Sequence, residues 1–256
     1  MDDPLLDTVA RSHKGLVRQI NQDAFAVYEK HGLVILADGM GGHSAGEVAS
    51  QLAVQTISRI LVPLLEQLEN HREAELGWLQ ESVKTANEAL LIAMEENPEW
   101  KSMGTTLVLG LFRNGRLLYA HVGDSRIYRL RGGRLKLLTR DHSLIQSMVD
   151  EGLFKNLAEA RAAGVPSNML VRGVGAKNDV EADADEVLLE PGDVFLFCSD
   201  GLTNMVNRKD MESIIDDAQD DLAAGADWLL ELALANGGND NVSLVLARPG
   251  PASLRC

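Results

Sequence analysis

An apolar run that ends in Asp-Gly occurs twice in this 256-residue chain: Leu33-Val34-Ile35-Leu36-Ala37-Asp38-Gly39 and Val194-Phe195-Leu196-Phe197-Cys198-Ser199-Asp200-Gly201. Runs this short and this apolar read as strands buried on both faces. Two further carboxylates border apolar runs, in Gly123-Asp124-Ser125 and Asn239-Asp240-Asn241. A carboxylate at the mouth of a buried strand is costly unless a positive charge stands beside it. Two unit charges ~4 Å apart at an effective dielectric of about 20 repel by roughly 4 kcal/mol. Three mutual pairs among Asp38, Asp200 and Asp240 would approach ~10 kcal/mol, against a typical domain stability of about 5–15 kcal/mol. A convergent cluster therefore requires cations. An all-oxygen donor set, with no Cys-His pattern, selects Mg²⁺ or Mn²⁺ over Zn²⁺. The glycine after two of the aspartates lets the backbone approach an ion and frees a carbonyl as a ligand. Any one Asp-Gly alone is also an ordinary turn signal at a strand end; it is the recurrence that points to a metal site.

The rest of the chain supplies a scaffold. Short strands are expected at Thr8-Val9-Ala10 and from Ala24 to Tyr28, and helices from Ser44 to about Leu68 and from Glu73 to Glu96. Strands follow at Thr105 to Phe112, Arg116 to His121, Arg126 to Leu130 and Leu135 to Leu138, broken by Asn114-Gly115, Gly123-Asp124 and Gly132-Gly133. The segment from about Leu144 to Val174 loses its periodicity and reads as short helices plus a flap. Strands resume at Val187-Leu188-Leu189 and from Val194 to Cys198; helices are expected from Met211 to Ala218 and Leu222 to Ala235, and a closing strand from Val242 to Leu246. Helix pairs between groups of antiparallel strands, without βαβ alternation, predict an α+β protein with a sheet-on-sheet core and helices outside. No domain boundary shows, so residues 1–256 are expected to form a single domain.

The turn Gly39-Met40-Gly41-Gly42-His43-Ser44 follows a strand and opens a helix, as a dinucleotide fingerprint would. Ser44 stands where that fingerprint needs Gly or Ala, and no acid closes a second strand about 20 residues on. A P-loop is excluded for want of Gly-Lys-Ser/Thr. His43 is open between a proton donor, a residue supporting the ligands and a surface residue at the helix start. Arg18, five residues before Asp23, is either a surface charge or a guanidinium that grips phosphate in both arms of its fork beside an acidic metal site. The net charge of −14 argues against nucleic acid, whose phosphates need Lys/Arg stripes. Cys198 lies in an apolar run and Cys256 is the last residue, which makes no disulfide framework. Met1-Asp2-Asp3-Pro4 lacks a signal-peptide core, and no stretch is expected to span a membrane, so the expected compartment is the cytoplasm.

In order along the chain, Arg18 to Asp23, Ala37-Asp38-Gly39-Met40-Gly41-Gly42-His43, Gly104-Thr105-Thr106, Val122-Gly123-Asp124-Ser125-Arg126, Leu138-Thr139-Arg140-Asp141-His142-Ser143, Ser199-Asp200-Gly201-Leu202 and Asp240-Asn241-Val242-Ser243 resemble the metal-dependent protein phosphatases of type 2C, the PPM family, in its bacterial form. The resemblance implies a four-layer αββα sandwich of two packed antiparallel sheets flanked by helix pairs. It implies a serine/threonine protein phosphatase using two to three Mn²⁺ or Mg²⁺ ions, with direct attack on phosphorus by a hydroxide that bridges two of them. By position, Asp38 would bridge two ions, the Gly39 carbonyl would bind the second, and Asp200 and Asp240 would complete the first. Asp23 would hold metal-bound water, Asp124 with Asp200 would match a third ion, and Arg18 would bind phosphate. Residues 145–175 would form the flap beside the site. Partners would be phosphorylated proteins, themselves substrates of a bacterial Ser/Thr kinase, and the protein is expected to be a monomer. The chain departs from the family at Gln22, a position often acidic, and at Met40, where animal members carry a histidine, which leaves His43 or solvent as proton donor. The rival reading is a catalytically weak phosphoprotein-binding sensor of the same fold.

Overall fold

The computed structural model describes residues 5–42, 45–67 and 74–254. Its strands form two antiparallel sheets. In the first, β1 (Leu6–His13), β11 (Val242–Pro249), β10 (Val194–Cys198), β7 (Arg126–Arg131) and β8 (Arg134–Leu137) lie side by side in that order. In the second the order is β2 (Asp23–Tyr28), β3 (Leu33–Met40), β5 (Leu107–Arg113), β6 (Arg116–Val122) and β9 (Asp183–Leu188), with the short β4 (Gly104–Thr105) paired to the end of β3.

Strand alternation builds three apolar layers. On β3, Leu33, Ile35 and Ala37 face α1 (Ala45–Gln67) and α2 (Glu75–Glu96), while Val34 and Leu36 face the other sheet. On β10, Phe195 and Phe197 face the second sheet, while Val194, Leu196 and Cys198 face α6 (Arg208–Asp217) and α7 (Leu222–Ala235). Phe112 of β5 meets Phe195 edge-on between the sheets, ring centroids 5.1 Å apart. Gly110 makes room there, since a Cβ would stand 2.7 Å from the Phe197 ring. The layers are therefore helix pair, sheet, sheet, helix pair, as the resemblance implies.

Several details differ from the sequence reading. The strand expected from Thr105 to Phe112 is split, because Thr105 and Thr106 turn to bond the end of β3: Thr106 N–H and Thr105 Oγ1 each donate to Asp38 O at 2.9 Å, while Thr105 N–H donates to Val174 O at 2.9 Å. The strand expected at Val187 begins earlier, at Asp183, where acidic residues on an edge strand mask the apolar pattern. A short helix, α5 (Asp200–Thr203), follows β10. The helix expected from Ser44 is described from Ala45 to Gln67, and its first and last expected residues lie outside the described ones. Contrary to the expectation that no stretch could span a membrane, α1 is long and apolar enough by length and composition, with mean hydropathy 1.4 over 18 residues. Its composition answers to packing: Ala49, Ala53, Ile57 and Leu61 are buried against β3 and α2. The flap carries α3 (Leu144–Asp150) and α4 (Leu157–Ala162), capped by Ser143 and Asn156.

Candidate metal centre

The alternation that packs the sandwich also delivers its polar end. Continuing Val34 and Leu36 by two residues places Asp38 on the face between the sheets. Asp23 of β2 is its cross-strand partner in register. Like charges so placed repel. Continuing Phe195 and Phe197 places Ser199 on the same level, and its hydroxyl donates to Asp23 Oδ2 at 2.9 Å. Asp23 Oδ1 is buried and has no hydrogen-bond partner among the described residues.

The cleft over this end, about 540 Å³, is lined by Asp38, Gly39, Asp124, Asp200 and Asp240, with Arg18, Gln22 and Met40. Asp200 opens α5 and accepts from Asn204 Nδ2 at 3.1 Å. Asp240 accepts from Arg18 Nη2 at 2.7 Å and from the Asn241 N–H at 2.8 Å. Asp124 follows Gly123, whose φ of +102° and approach to Thr106 exclude a side chain. A Cβ on Gly39 would lie 1.9 Å from Gly46 O, and one on Gly201 1.9 Å from Asn241 O. Both Asp-Gly glycines are thus required by close backbone approach. The loop bearing Arg18 is pinned by Asn241, whose Nδ2 donates to Lys14 O and Ile20 O and whose Oδ1 accepts from Gln22 N–H. On the far wall stand Asn168, Met169 and Leu170 of the flap.

The electrostatics oppose leaving these carboxylates to themselves. Burial, then Asp23, Asp200, Asp124 and Asp240, raises Asp38 well above the usual carboxylate range. Burial, then Asp200 and Asp141, pushes Asp124 up to about 7. Burial pushes Asp23 up to about 6, against the lowering effect of the neighbouring Ser243 and Ser199. Asp200 is raised by burial and by Asp240. Among the described residues Arg18 is the one cation lining the cleft. An all-oxygen donor set, an orphaned buried carboxylate oxygen and a deficit of positive charge fit Mg²⁺ or Mn²⁺. Asp23, Asp38, Asp124, Asp200, Asp240 and the Gly39 carbonyl are the groups able to hold such ions.

The structure brings together every site residue expected from the sequence except His43, which lies outside the described residues. The pocket carboxylates do not form the tightest ligand cluster, however. Among the described residues, the trio whose ligand atoms all lie within 4.8 Å of one another is His121, His142 and Asp183. Sequence reasoning assigns no role to that trio, nor to Asn204, nor to Ser199 and Thr106 although both lie in segments that carry the resemblance; Thr106 Oγ1 accepts from the Asp38 N–H at 3.0 Å. Ser199 carries a further signal in its spacing, two residues after Phe197 on a buried strand.

Comparison with known proteins agrees with this arrangement. The chain is 36% identical over 240 residues to the serine/threonine phosphatase stp of Listeria innocua, covering 92% of this chain and 93% of that one. It is 39% identical over 244 residues to the serine/threonine protein phosphatase PstP of Mycobacterium tuberculosis, covering 95% of this chain and 45% of that one. The crystal structure of the catalytic domain of a PstP in complex with two manganese ions superposes with a TM-score of 0.82 at 36% identity, covering 94% of this chain and 97% of that one. Residues 11–232 match the Protein phosphatase 2C family, and the chain belongs to it.

Proposed function

We propose that this chain hydrolyses phosphoserine and phosphothreonine monoesters in proteins with the help of Mn²⁺ or Mg²⁺. The observation that carries this reading is the convergence of Asp38, Asp124, Asp200 and Asp240 on one cleft that also contains Arg18. When bound, such ions acidify a solvent molecule and offset the charge on the phosphoryl oxygens. Asp38 would serve two of these ions, one held with the Gly39 carbonyl and Asp23 and another with Asp200 and Asp240, while Asp124 with Asp200 would hold a third. Arg18 uses one N–H on Asp240 and turns the rest of its fork to the equatorial oxygens of the phosphate. Cys198 is buried, and burial pushes its thiol up to about 12, so it is no nucleophile. The reaction accordingly needs no phospho-enzyme at that cysteine.

In this reading the chain is a single phosphatase domain with a flap at residues 145–175. It works as a cytoplasmic monomer in signalling, on proteins phosphorylated by a bacterial Ser/Thr kinase. The acidic net charge of −14 supports protein rather than nucleic acid as partner. The test is release of phosphate from a phosphothreonine peptide and from p-nitrophenyl phosphate, with Mn²⁺ and with EDTA. Asp38→Ala is expected to fall to background while its circular dichroism stays that of the wild type. Turnover in EDTA, or in Asp38→Ala, overturns the reading.

A further inference from the structure

His121, His142 and Asp183 stand outside the carboxylate cleft, and the chemistry above does not use them. Their ligand atoms lie close together, yet the trio is not built for a metal ion. The imidazoles are stacked, with centroids 4.8 Å apart and planes 23° from parallel. Ring nitrogens bind metals through in-plane lone pairs at about 2.0–2.1 Å, and two nearly parallel stacked planes do not meet at such a point. His142 Nδ1 moreover accepts a hydrogen bond from the Gly123 N–H at 3.2 Å. Burial, then the neighbouring His121, presses His142 down to about 4, so its ring is neutral and its one proton sits on Nε2. Nε2 is buried and lies 3.2 Å from Asp183 Oδ2, close enough for electrostatic contact but without the alignment of a hydrogen bond.

The trio instead joins three segments. His142 holds Gly123 from both sides, since its own N–H donates to Gly123 O at 2.9 Å. Gly123 precedes Asp124, which lines the cleft. The His142 carbonyl accepts from the Val171 N–H at 2.9 Å, and the next residue, Ser143, bridges to Leu170. Leu170 and Met169 form the flap wall of the cleft. Asp183, cross-strand partner of His121 on the edge strand β9, accepts from Arg172 Nη1 at 2.7 Å, one residue beyond Val171. His142 is 4% exposed, so water does not compete for its bonds to Gly123, whereas Asp183 keeps 44% of its side chain accessible.

We propose that His142 is a positioning residue: with Asp183 it ties the Asp124 turn and the cleft-lining end of the flap to β9, so that metal binding on one wall and peptide binding on the other are coupled. This rests on the phosphatase reading. By linkage, a change in either wall is felt at the other.

Two substitutions separate the two ties. His142→Asn keeps an oxygen where Nδ1 accepts from Gly123 and loses the reach to Asp183. His142→Ala loses both. His142→Asn is expected to bind Mn²⁺ as the wild type does in calorimetric titration, and to raise KM for a phosphothreonine peptide about tenfold with a smaller change in kcat. Asp183→Asn, at the far end of the tie, reproduces that split. His142→Ala adds about a tenfold weakening of Mn²⁺ binding. A wild-type KM in both His142→Asn and Asp183→Asn overturns the proposal, and so does wild-type Mn²⁺ binding in a folded His142→Ala. Should His142→Ala fail to fold, the two asparagine variants decide. If the phosphatase reading itself is wrong, the wild type turns over no peptide, whereas the Mn²⁺ titrations still show whether His142 supports the Asp124 turn.

Discussion

Replacing Asp124 by asparagine should stabilise the metal-free protein, and the gain should grow with pH. Burial, with Asp200 and Asp141 nearby and only partial relief from Arg126, pushes this carboxyl up to about 7. In an unfolded chain an aspartate titrates at about 3.9. Between those values the folded protein keeps a proton that the unfolded chain has released, so stability falls as pH rises from about 4 to about 7 and is level above. At about 1.4 kcal/mol per pH unit, the displacement costs about 4 kcal/mol at pH 8 and about 1.5 kcal/mol at pH 5. Both are ceilings, because Asp124 is partly open to the cleft, where solvent screens it. The asparagine amide has nearly the same volume and no charge to lose. Urea unfolding in EDTA should therefore show Asp124→Asn more stable than wild type by about 2–4 kcal/mol at pH 8 and by about 1 kcal/mol at pH 5. Saturating Mn²⁺ should close the gap, since an ion at Asp124 stabilises only the wild type, by about 2.7 kcal/mol at a hundredfold excess over its Kd. A variant no more stable than wild type at pH 8, or one with equal gains at both pH values, refutes the electrostatic account of the cleft.

Two arginines should respond in opposite ways. Arg18 and Asp240 form an exposed pair, with 53% and 37% of their side chains accessible, so Arg18→Ala should move the unfolding free energy by no more than about 1 kcal/mol. Its kcat/KM for a phosphopeptide should nevertheless fall about 100-fold, because a charge facing the phosphoryl oxygens is lost. Arg126 grips Asp141 through Nε at 2.8 Å and Nη2 at 2.6 Å in a mostly buried pair. Arg126→Ala strands that carboxylate and should cost about 3–5 kcal/mol in urea unfolding. Equal stability losses in the two variants would contradict the difference in burial.

Much of the scaffold is legible from local pattern, and the reasons are specific. The runs Leu33 to Ala37 and Val194 to Cys198 read as buried strands because helices cover their outer faces as completely as the opposite sheet covers their inner faces. The mid-chain hairpins read correctly because Gly115, Gly123, Gly132 and Gly133 all take positive φ, where a side chain is strained. What local pattern cannot carry is register. Asp23 lies in a polar stretch with no strand signal of its own, and only its pairing opposite Asp38 puts it in the site. Edge strand β9 escapes for the opposite reason: Asp183, Asp185 and Glu186 serve ion pairs and hydrogen bonds at the sheet margin, so its apolar period is broken. The Asp183–His142 pairing spans 41 positions and depends on the stacking of His142 against His121, which no spacing rule encodes.

The carboxylate cleft makes sense only as the end of the sandwich rather than as an addition to it. The face of β3 that supplies Val34 and Leu36 to the inner layer supplies Asp38 next, and the face of β10 that supplies Phe195 and Phe197 supplies Ser199 next. Each strand thus changes from apolar to polar at the same level, where the inner layer runs out and solvent can enter. Moving the acids outward by one residue would flip them to the helix-covered faces, where neither water nor an ion could reach them. Moving them inward by two would place them among Phe112, Phe195 and Phe197. The level at which the aromatic filling stops therefore sets where charge is tolerable. It also explains why Asp38 and Asp23 stand so high in pKa and yet persist: the fold carries a strained set of like charges at the one level where a cation can arrive to relieve it.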